Sequence, residues 1–393
     1  MIIPAIDIMD GTAVQFVRRK ERVDIGDPIE IAEKLKLFGE IQVIDLDAAL
    51  NKGDNFELVK ELCKAARCRV GGGIRTEEKA RALLKAGAGK IIIGTMATEE
   101  FLRRLPRDCI IAAFDVNGEE EKARAIEKAK ALEPYCSEFL FTDVSKEGTL
   151  EGYDTSFVQN AAATIKSKIT IAGGISSPGQ IQEIEARGVN AVVGMARASG
   201  VLDLTEAFIQ TLRFDNGLIP TLVQDSEGQP LMLAYSSEDS IRKTIATGKA
   251  TYYKRSKKRL WTKGETSGNF QELVELRKDC DSDALLFTVE QKNVACHAGS
   301  YSCFGNKAFG MQEFYGIVLN RLQNPTKGSY TSSLTDEELD KKIIEESEEV
   351  TTAGTKEQLI HELADLVYFT TVKAAKTGIS FRDVMNELGG RRK

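Results

Sequence analysis

Over the first 213 residues, short apolar runs recur between longer stretches of helical period: IIPAI, IQVIDL, CRVGGG, KIIIG, CIIAAF, EFLFTD, ITIAGG and AVVG. Runs of four to six residues bounded by glycine and turn residues read as buried strands. Strand and helix alternating without interruption specify a parallel sheet covered by helices, and eight such units predict a (β/α)8 TIM barrel. An internal repeat refines this. VGGGIRT at 70–76 is echoed by IAGGISS at 171–177, an offset of 101, and Gly94 in IIIGTMA by Gly194 in AVVGMARA, an offset of 100. Self-similarity at that period predicts a barrel of two corresponding halves.

The pattern changes twice further on. Residues 214–305 are expected to form a separate, small α+β domain. KIIEESEEV and HELADLVYFTTVKAA then carry a 3.6-residue period, with Leu359, Leu363, Leu366 and Val367 on one stripe. That predicts an all-α segment over 306–393 with the stripe facing its core. The 393 residues are enough for three such domains, each with a core of its own.

Net charge narrows the partners. At −6 the chain is a poor match for nucleic acid, whose binders are basic. No apolar run reaches membrane-spanning length, and MIIPAIDI reads as a strand, not a secretory leader. A cytoplasmic, reduced protein is therefore expected, with Cys63, Cys68, Cys109 and Cys136 as small buried hydrophobes.

The other three of the seven cysteines lie in DCDSDALLFTVEQKNVACHAGSYSC, residues 279–303. Cys280, Cys296 and Cys303 are soft donors suited to Zn²⁺, and Asp279, Asp281 and Asp283 are hard oxygen donors suited to Mg²⁺. If DCDSD is extended, its side chains alternate, with three carboxylates on one face and Cys280 on the other. A closed structural zinc site normally shows paired Cys-x2-4-Cys spacings; here Cys296 and Cys303 are seven apart and no fourth thiolate is evident. An open fourth position would hold an acidified water, and His297 is placed to shuttle a proton or to close the site. The alternative is a structural zinc knot with solvated aspartates beside it.

With LWTKGETSGNFQELVELRK before it, this segment closely resembles phosphoribosyl-AMP cyclohydrolase, over about residues 214–305. The resemblance implies that Cys280, Cys296 and Cys303 bind a catalytic zinc, one donated across a dimer interface, and that the three aspartates bind magnesium. It also implies zinc-hydroxide attack at C6 of an adenine ring carrying phosphoribose on N1, and contact with that substrate by Lys263, Thr266 and Ser267. Arg255 and Ser256 match the family's arginine-serine pair ahead of Trp261 and are assigned to phosphate; the neighbouring lysines read as a solvated hairpin face. Asn269 departs from the histidine common in the family after TSG, so that group's proton transfer comes from elsewhere or is dispensable.

On the two C-terminal helical segments, Glu345, Glu346 and Glu349 project from one side of the first, and Glu362 and Asp365 from one side of the second. Five carboxylates on neighbouring helices repel unless a cation lies between them, and Mg²⁺ shared with substrate phosphates suits that arrangement. Taken singly, each run would read as an exposed acidic helix. The joint pattern EExxE, twelve residues, ExxD, preceded by NPTKGSYTSSL, resembles phosphoribosyl-ATP pyrophosphohydrolase over roughly 311–393. By that likeness magnesium activates water against the α-phosphorus, and the product is the cyclohydrolase's substrate. A homodimer or higher homo-oligomer is expected, with phosphoribosyl nucleotides as ligands.

In the barrel, Gly73, Gly94, Gly174 and Gly194 close strands, where bare amides and helix N-termini hold phosphate; tight turns would also select them. Their duplication suggests a ligand with a phosphate at each end. Asp7 and Asp115 end corresponding strands and are candidate acid-base groups. MIIPAIDIMDG, VIDLDAAL, VGGGIRT, IIIGT and TDVSKEGTL resemble phosphoribosylformimino-5-aminoimidazole carboxamide ribotide isomerase, over residues 1 to about 213. That likeness makes Asp7 the general base and puts Glu147 where the family has its second catalytic aspartate. The extra methylene of Glu147 and the lack of a long closing loop after Asp115 predict a poor isomerase serving as a phosphate-binding or assembly module. EGYDTS is closer to the cyclase subunit of imidazole glycerol phosphate synthase, and the alternative is an enzyme of three consecutive steps.

Overall fold

The computed structural model describes residues 1–17 and 20–391. All eight expected strands are present: β1 (Ile2–Met9), β4 (Ile41–Asp45), β5 (Cys68–Gly71), β6 (Lys90–Ile93), β7 (Ile110–Val116), β8 (Glu138–Asp143), β9 (Lys168–Ala172) and β10 (Asn190–Val193). They run parallel in sequence order, and β10 pairs back onto β1 through Ala191 and Ile2, closing the barrel. The intervening pair, β2 (Thr12–Val17) and β3 (Glu21–Gly26), was not anticipated and extends β1 as antiparallel strands. Asp10 and Gly11, at φ 51° and 72°, form a two-residue turn with both positions left-handed. An Asp-Gly pair between apolar runs is the sequence signal for that hairpin.

Strand alternation sorts the barrel into layers. Ile2, Ile6 and Ile8 face the surrounding helices, whereas Ile3 and Ala5 pack inside the barrel with Ile92, Ile111, Leu140, Ala172 and Val192. Continuing that parity toward the strands' carboxyl ends places Asp7, Asp115 and Thr142 at the mouth. Continuing it the other way places Arg69, Lys90, Glu138, Thr170 and Asn190 in a polar floor. There Glu138 Oε2 accepts from Lys90 Nζ at 2.7 Å and Glu138 Oε1 from Thr170 Oγ1 at 2.5 Å. Arg69 Nη2 lies 2.7 Å from Glu138 Oε1, but its N–H groups are not aimed at a partner, so this is a charge contact. Burial raises the Glu138 carboxyl, and the Arg69 and Lys90 cations more than reverse it, to about 2.

The next segment has a four-stranded sheet in the order β12-β11-β16-β15, from β11 (Ile219–Asp225), β12 (Pro230–Ser236), β15 (Gln271–Lys278) and β16 (Leu285–Gln291). A hairpin of β13 (Thr251–Lys254) and β14 (Arg259–Thr262) and the helix Glu238–Thr247 complete it. Barrel and sheet form one compact unit, residues 1–306 with 389–393. β15 packs on Lys36–Phe38, and Arg67 Nη1 donates to Glu275 Oε1 at 3.0 Å. Arg242 makes a two-pronged contact with Glu206, Nε to Oε1 at 2.7 Å and Nη2 to Oε2 at 2.9 Å. Lys36–Phe38, Arg67 and Glu185 all precede barrel strands, so the sheet covers the end of the barrel opposite its mouth.

The second unit, 307–388, is helical, and its core is Val318, Leu334, Leu339, Phe369, Val372 and Ala375. Helices Asp336–Thr352 and Lys356–Lys376 form an antiparallel pair across a three-residue turn. A capping box at Thr335 and Glu338 starts the first, and the Thr355 hydroxyl caps the second. The expected core stripe is only partly core. Leu359, Leu363 and Val367 are exposed and Leu366 half-buried, because the apolar packing of this helix lies in its C-terminal half at Phe369, Val372 and Ala375.

Candidate active sites

At the barrel mouth a cavity of about 450 Å³ is lined by Asp7, Asp115 and Glu147 together with Gly73, Gly94, Gly174 and Gly194. The glycines are there for different reasons. A Cβ on Gly73, at φ 62°, would lie 2.4 Å from the Ala48 carbonyl oxygen, and one on Gly174, at φ 77°, 2.2 Å from that of Gly152. Both turns require glycine sterically. Gly94 has no positive φ and open space where its Cβ would be, so it lines the cavity without a packing reason for glycine. Asp7 Oδ2 accepts from Gln15 Nε2 at 3.1 Å, which makes the unanticipated hairpin part of the site. Glu147 follows the short turn Val144–Lys146, and Gly148 packs so closely on the hairpin that a Cβ would lie 2.4 Å from the Phe16 carbonyl oxygen. Arg197 was missed by sequence reasoning. Its half-buried guanidinium interacts electrostatically with Asp7 and donates to the Ala5 carbonyl at 3.4 Å, leaving the buried Nε without a hydrogen-bond partner. Only Asn117 and Gly118 separate β7 from the helix Glu119–Leu132, so no long segment closes the mouth there.

In the sheet segment, Cys296 and Cys303 lie side by side, with the Lys263 ammonium near both. A backbone N–H from Ala298 lowers the Cys296 thiol; burial and the neighbouring Cys296 raise that of Cys303. Lys263 is buried, donates to the Ala295 carbonyl at 2.6 Å, and sits 5.7 Å from the centre of the Trp261 ring. Cys280 does not join them: its nearest polar contact is Asp281 Oδ1 at 3.9 Å, and among the described residues no metal-competent group contains all three thiols. His297, Thr266 and Ser267 are exposed, the last two in the turn after β14; Ser267 Oγ accepts from the Asn269 amide at 3.3 Å. Asn269 Oδ1 accepts from Asn293 at 3.1 Å. Arg255 stacks 3.7 Å above the Tyr235 ring, with Ser256 in the same short helical turn.

DCDSD is not extended. It is the reversal between β15 and β16, where Asp279 Oδ1 accepts from the amides of Asp283 and Ala284 at 3.0 and 3.1 Å, and Ser282 has φ 65°. The aspartates converge by this tight turn and not by strand alternation: oxygens of Asp279, Asp281 and Asp283 all lie within 4.8 Å of one another. Charge repulsion, first from Asp281, raises Asp283.

Near the turn of the helical pair, Glu346, Glu349 and Glu362 form one such group, and His361, Glu362 and Asp365 another sharing Glu362. Burial raises the Glu346 carboxyl, with Asp365 and Glu349 adding to it. Glu345 stands outside both groups and pairs with Lys342 at 2.8 Å, since a residue adjacent to Glu346 is turned about 100° around the helix. His361, which sequence reasoning passed over, lies 3.2 Å from Asp365; the i,i+4 spacing was the available signal.

A closed eightfold barrel with this mouth, followed by a thiol-bearing sheet domain and a carboxylate-bearing helical pair, defines a multidomain nucleotide-processing hydrolase. The chain belongs to the histidine biosynthesis protein family, whose profile matches residues 1–202, and it carries a phosphoribosyl-AMP cyclohydrolase domain (232–305) and a phosphoribosyl-ATP pyrophosphohydrolase domain (311–392). Among its relatives is the histidine biosynthesis bifunctional protein HisIE of Pyrococcus furiosus, 44% identical over 195 residues, covering 46% of this chain and 93% of that protein. The protein of the same name from Synechocystis is 44% identical over 195 residues, covering 46% and 91%. The histidine biosynthesis trifunctional protein of Saccharomyces cerevisiae is 45% identical over 190 residues, covering 47% of this chain but 24% of that protein.

Proposed function

We propose that the helical unit hydrolyses phosphoribosyl-ATP to phosphoribosyl-AMP and pyrophosphate, and that the cyclohydrolase domain then opens the adenine ring of phosphoribosyl-AMP between N1 and C6. The first step rests on the carboxylates of Glu346, Glu349, Glu362 and Asp365 gathered from two helices. Repulsion among them fits a hard cation, and Mg²⁺ when bound supplies charge neutralisation at the phosphates and an acidified water. The protein's part is to hold these oxygens on a rigid antiparallel pair, so that little reorganisation is needed when the triphosphate arrives.

For ring opening, adjacent Cys296 and Cys303 fit a soft cation, and Zn²⁺ when bound supplies a water acidified toward neutral pH. Lys263 places positive charge beside the two sulfurs, Trp261 offers a flat apolar face near that ammonium, and Arg255 is available for phosphate. Cys280 stands away from the pair, which supports a homodimer in which Cys280 of the partner subunit completes the site. Leu359, Leu363 and Val367, exposed on one helix, support self-association of the helical unit also. Seven free thiols suit a reducing cytoplasm, and no helix among the described residues is long and apolar enough to cross a membrane.

A second reading concerns the barrel. Asp7, Asp115, Glu147 and the glycines all line one cavity, which favours a bisphosphate ligand there. The short β7 connection and the glutamate at position 147 favour slow isomerisation of that ligand or none.

Incubating the chain with phosphoribosyl-ATP, Mg²⁺ and Zn²⁺ while resolving products over time tests these assignments. Phosphoribosyl-AMP should appear first and the formimino ribotide second, with the isomerised ketose trailing or absent. Failure to release pyrophosphate would remove the first assignment, and phosphoribosyl-AMP accumulating without ring opening would remove the second.

A further inference from the structure

The hairpin bearing Asp279, Asp281 and Asp283 is anchored by the barrel at two points. Lys278, the last residue of β15 and next to Asp279, donates through Nζ to Glu185 Oε2 of the barrel; both side chains are 10% exposed. The other oxygen of Glu185 lies 3.0 Å from the Met1 ammonium. At the tip, the Arg213 amide, just beyond the last barrel helix, donates at 2.7 Å to the carbonyl of Ser282. Ser282 is the left-handed residue between Asp281 and Asp283, so this bond adds to the internal ones at Asp279 that hold the turn bringing the carboxylates together.

Three carboxylates within 4.8 Å repel one another, and an isolated five-residue reversal would relieve that by opening. The barrel contacts bracket the reversal and oppose the opening. We propose that the barrel serves the cyclohydrolase domain as the rigid support of its carboxylate hairpin, with Glu185 and Arg213 as positioning residues for a divalent cation at Asp279, Asp281 and Asp283. This rests on the reading of those aspartates as a magnesium site. It gives the barrel a part in ring opening that does not depend on chemistry at its own mouth, which is at the opposite end.

The test uses the full chain, with the helical carboxylate cluster silenced by Glu362→Gln and Asp365→Asn, and follows Mn²⁺ binding by loss of the free-ion paramagnetic signal. Asp281→Asn provides the reference for a destroyed site. Glu185→Gln should weaken Mn²⁺ binding about tenfold, the scale of effect expected when a ligand's support is removed. Lys278→Met, which leaves no cation without its partner, should weaken it similarly, and the two together no more than either alone. Arg67→Ala removes a barrel contact on the same strand but away from the hairpin; it should lower thermal stability and leave Mn²⁺ affinity unchanged. In the otherwise native chain, the Mg²⁺ concentration for half-maximal ring opening should rise by the same factor in Glu185→Gln, with the rate at saturating Mg²⁺ retained.

Native Mn²⁺ affinity in both Glu185→Gln and Lys278→Met, with Asp281→Asn binding none, overturns the supporting role and leaves the metal site standing. So do fully additive effects of the two changes, or an equal loss in Arg67→Ala. Native affinity in Asp281→Asn overturns the metal site itself, and this inference with it.

Discussion

Cys303 and Cys296 touch, and their thiols are driven apart: the one with an amide donor is lowered, the buried one raised. Two adjacent thiols are the donor type a soft cation takes, displacing their protons as it binds, so Cys303→Ala should abolish both zinc retention and ring opening. Metal analysis with the two half-reactions assayed separately checks this. Pyrophosphate release should persist, and ring opening by a zinc-free Cys303→Ala chain would refute the assignment. Glu138 is a residue of another kind, buried in the barrel floor and lining neither the mouth cavity nor the thiol pair. Its carboxyl titrates near 2 in the folded chain, against 4.5 ordinarily, so its stabilisation is fully present above about pH 4.5 and fades as pH falls toward 2. The shift corresponds to about 3 kcal/mol. Glu138→Gln should therefore lower the urea midpoint at pH 7 and flatten its decline between pH 5 and 2. An unchanged acid profile would show that Arg69 and Lys90 do not stabilise the fold through this carboxylate.

At the scale of elements, the helical pair carries one chemistry and the sheet another, and the carboxylates of the first belong to a separate compact unit. Glu346→Gln or Asp365→Asn should reduce pyrophosphate release by at least about a hundredfold, the order of loss when a metal ligand's contribution to the transition state is removed. Conversion of supplied phosphoribosyl-AMP should be unaffected. Loss of both activities in a folded variant would argue for a composite site. Glu345 and Glu346 are neighbours in the chain and differ in the fold, which is a matter of helix phase: Glu346 joins Glu362 of the facing helix in one carboxylate group and Glu345 does not. The three-residue turn joining the helices fixes that phase, and no count along a single helix supplies it.

For the whole molecule, the sheet's seat on the barrel floor sets the two ends of unit one apart, the mouth with its cavity at one end and the cyclohydrolase domain at the other. The mouth retains Asp7 and Glu147 around one cavity, so ligand binding and turnover there are separable questions. The formimino ribotide should bind in the micromolar to millimolar range usual for substrates and be converted slowly. Asp7→Asn should abolish what conversion there is without altering the cavity's shape. Ketose formation by the native chain at ordinary enzymatic rates, removed by Asp7→Asn, would make this a catalyst of three consecutive steps.

Much of this was legible from the chain alone because it depends on local periodicity and on residue chemistry. Eight apolar runs, duplicated glycines, three thiols with three aspartates, and carboxylates spaced along two helices announce barrel, candidate metal ligands and helices, since alternation and helical period survive in one dimension. Tertiary structure decided which of these residues meet. It brought Cys303 to Cys296 and left Cys280 apart, folded DCDSD into a turn where an extended strand was expected, turned Leu359 and Leu363 outward, and set Arg197 beside Asp7. It also seated the sheet on the barrel through Glu185, Arg67 and Glu206, partners separated in sequence from Lys278, Glu275 and Arg242. Contacts between distant residues arise from packing and charge pairing that no local pattern encodes, whereas a strand's alternation or a helix's stripe is written residue by residue.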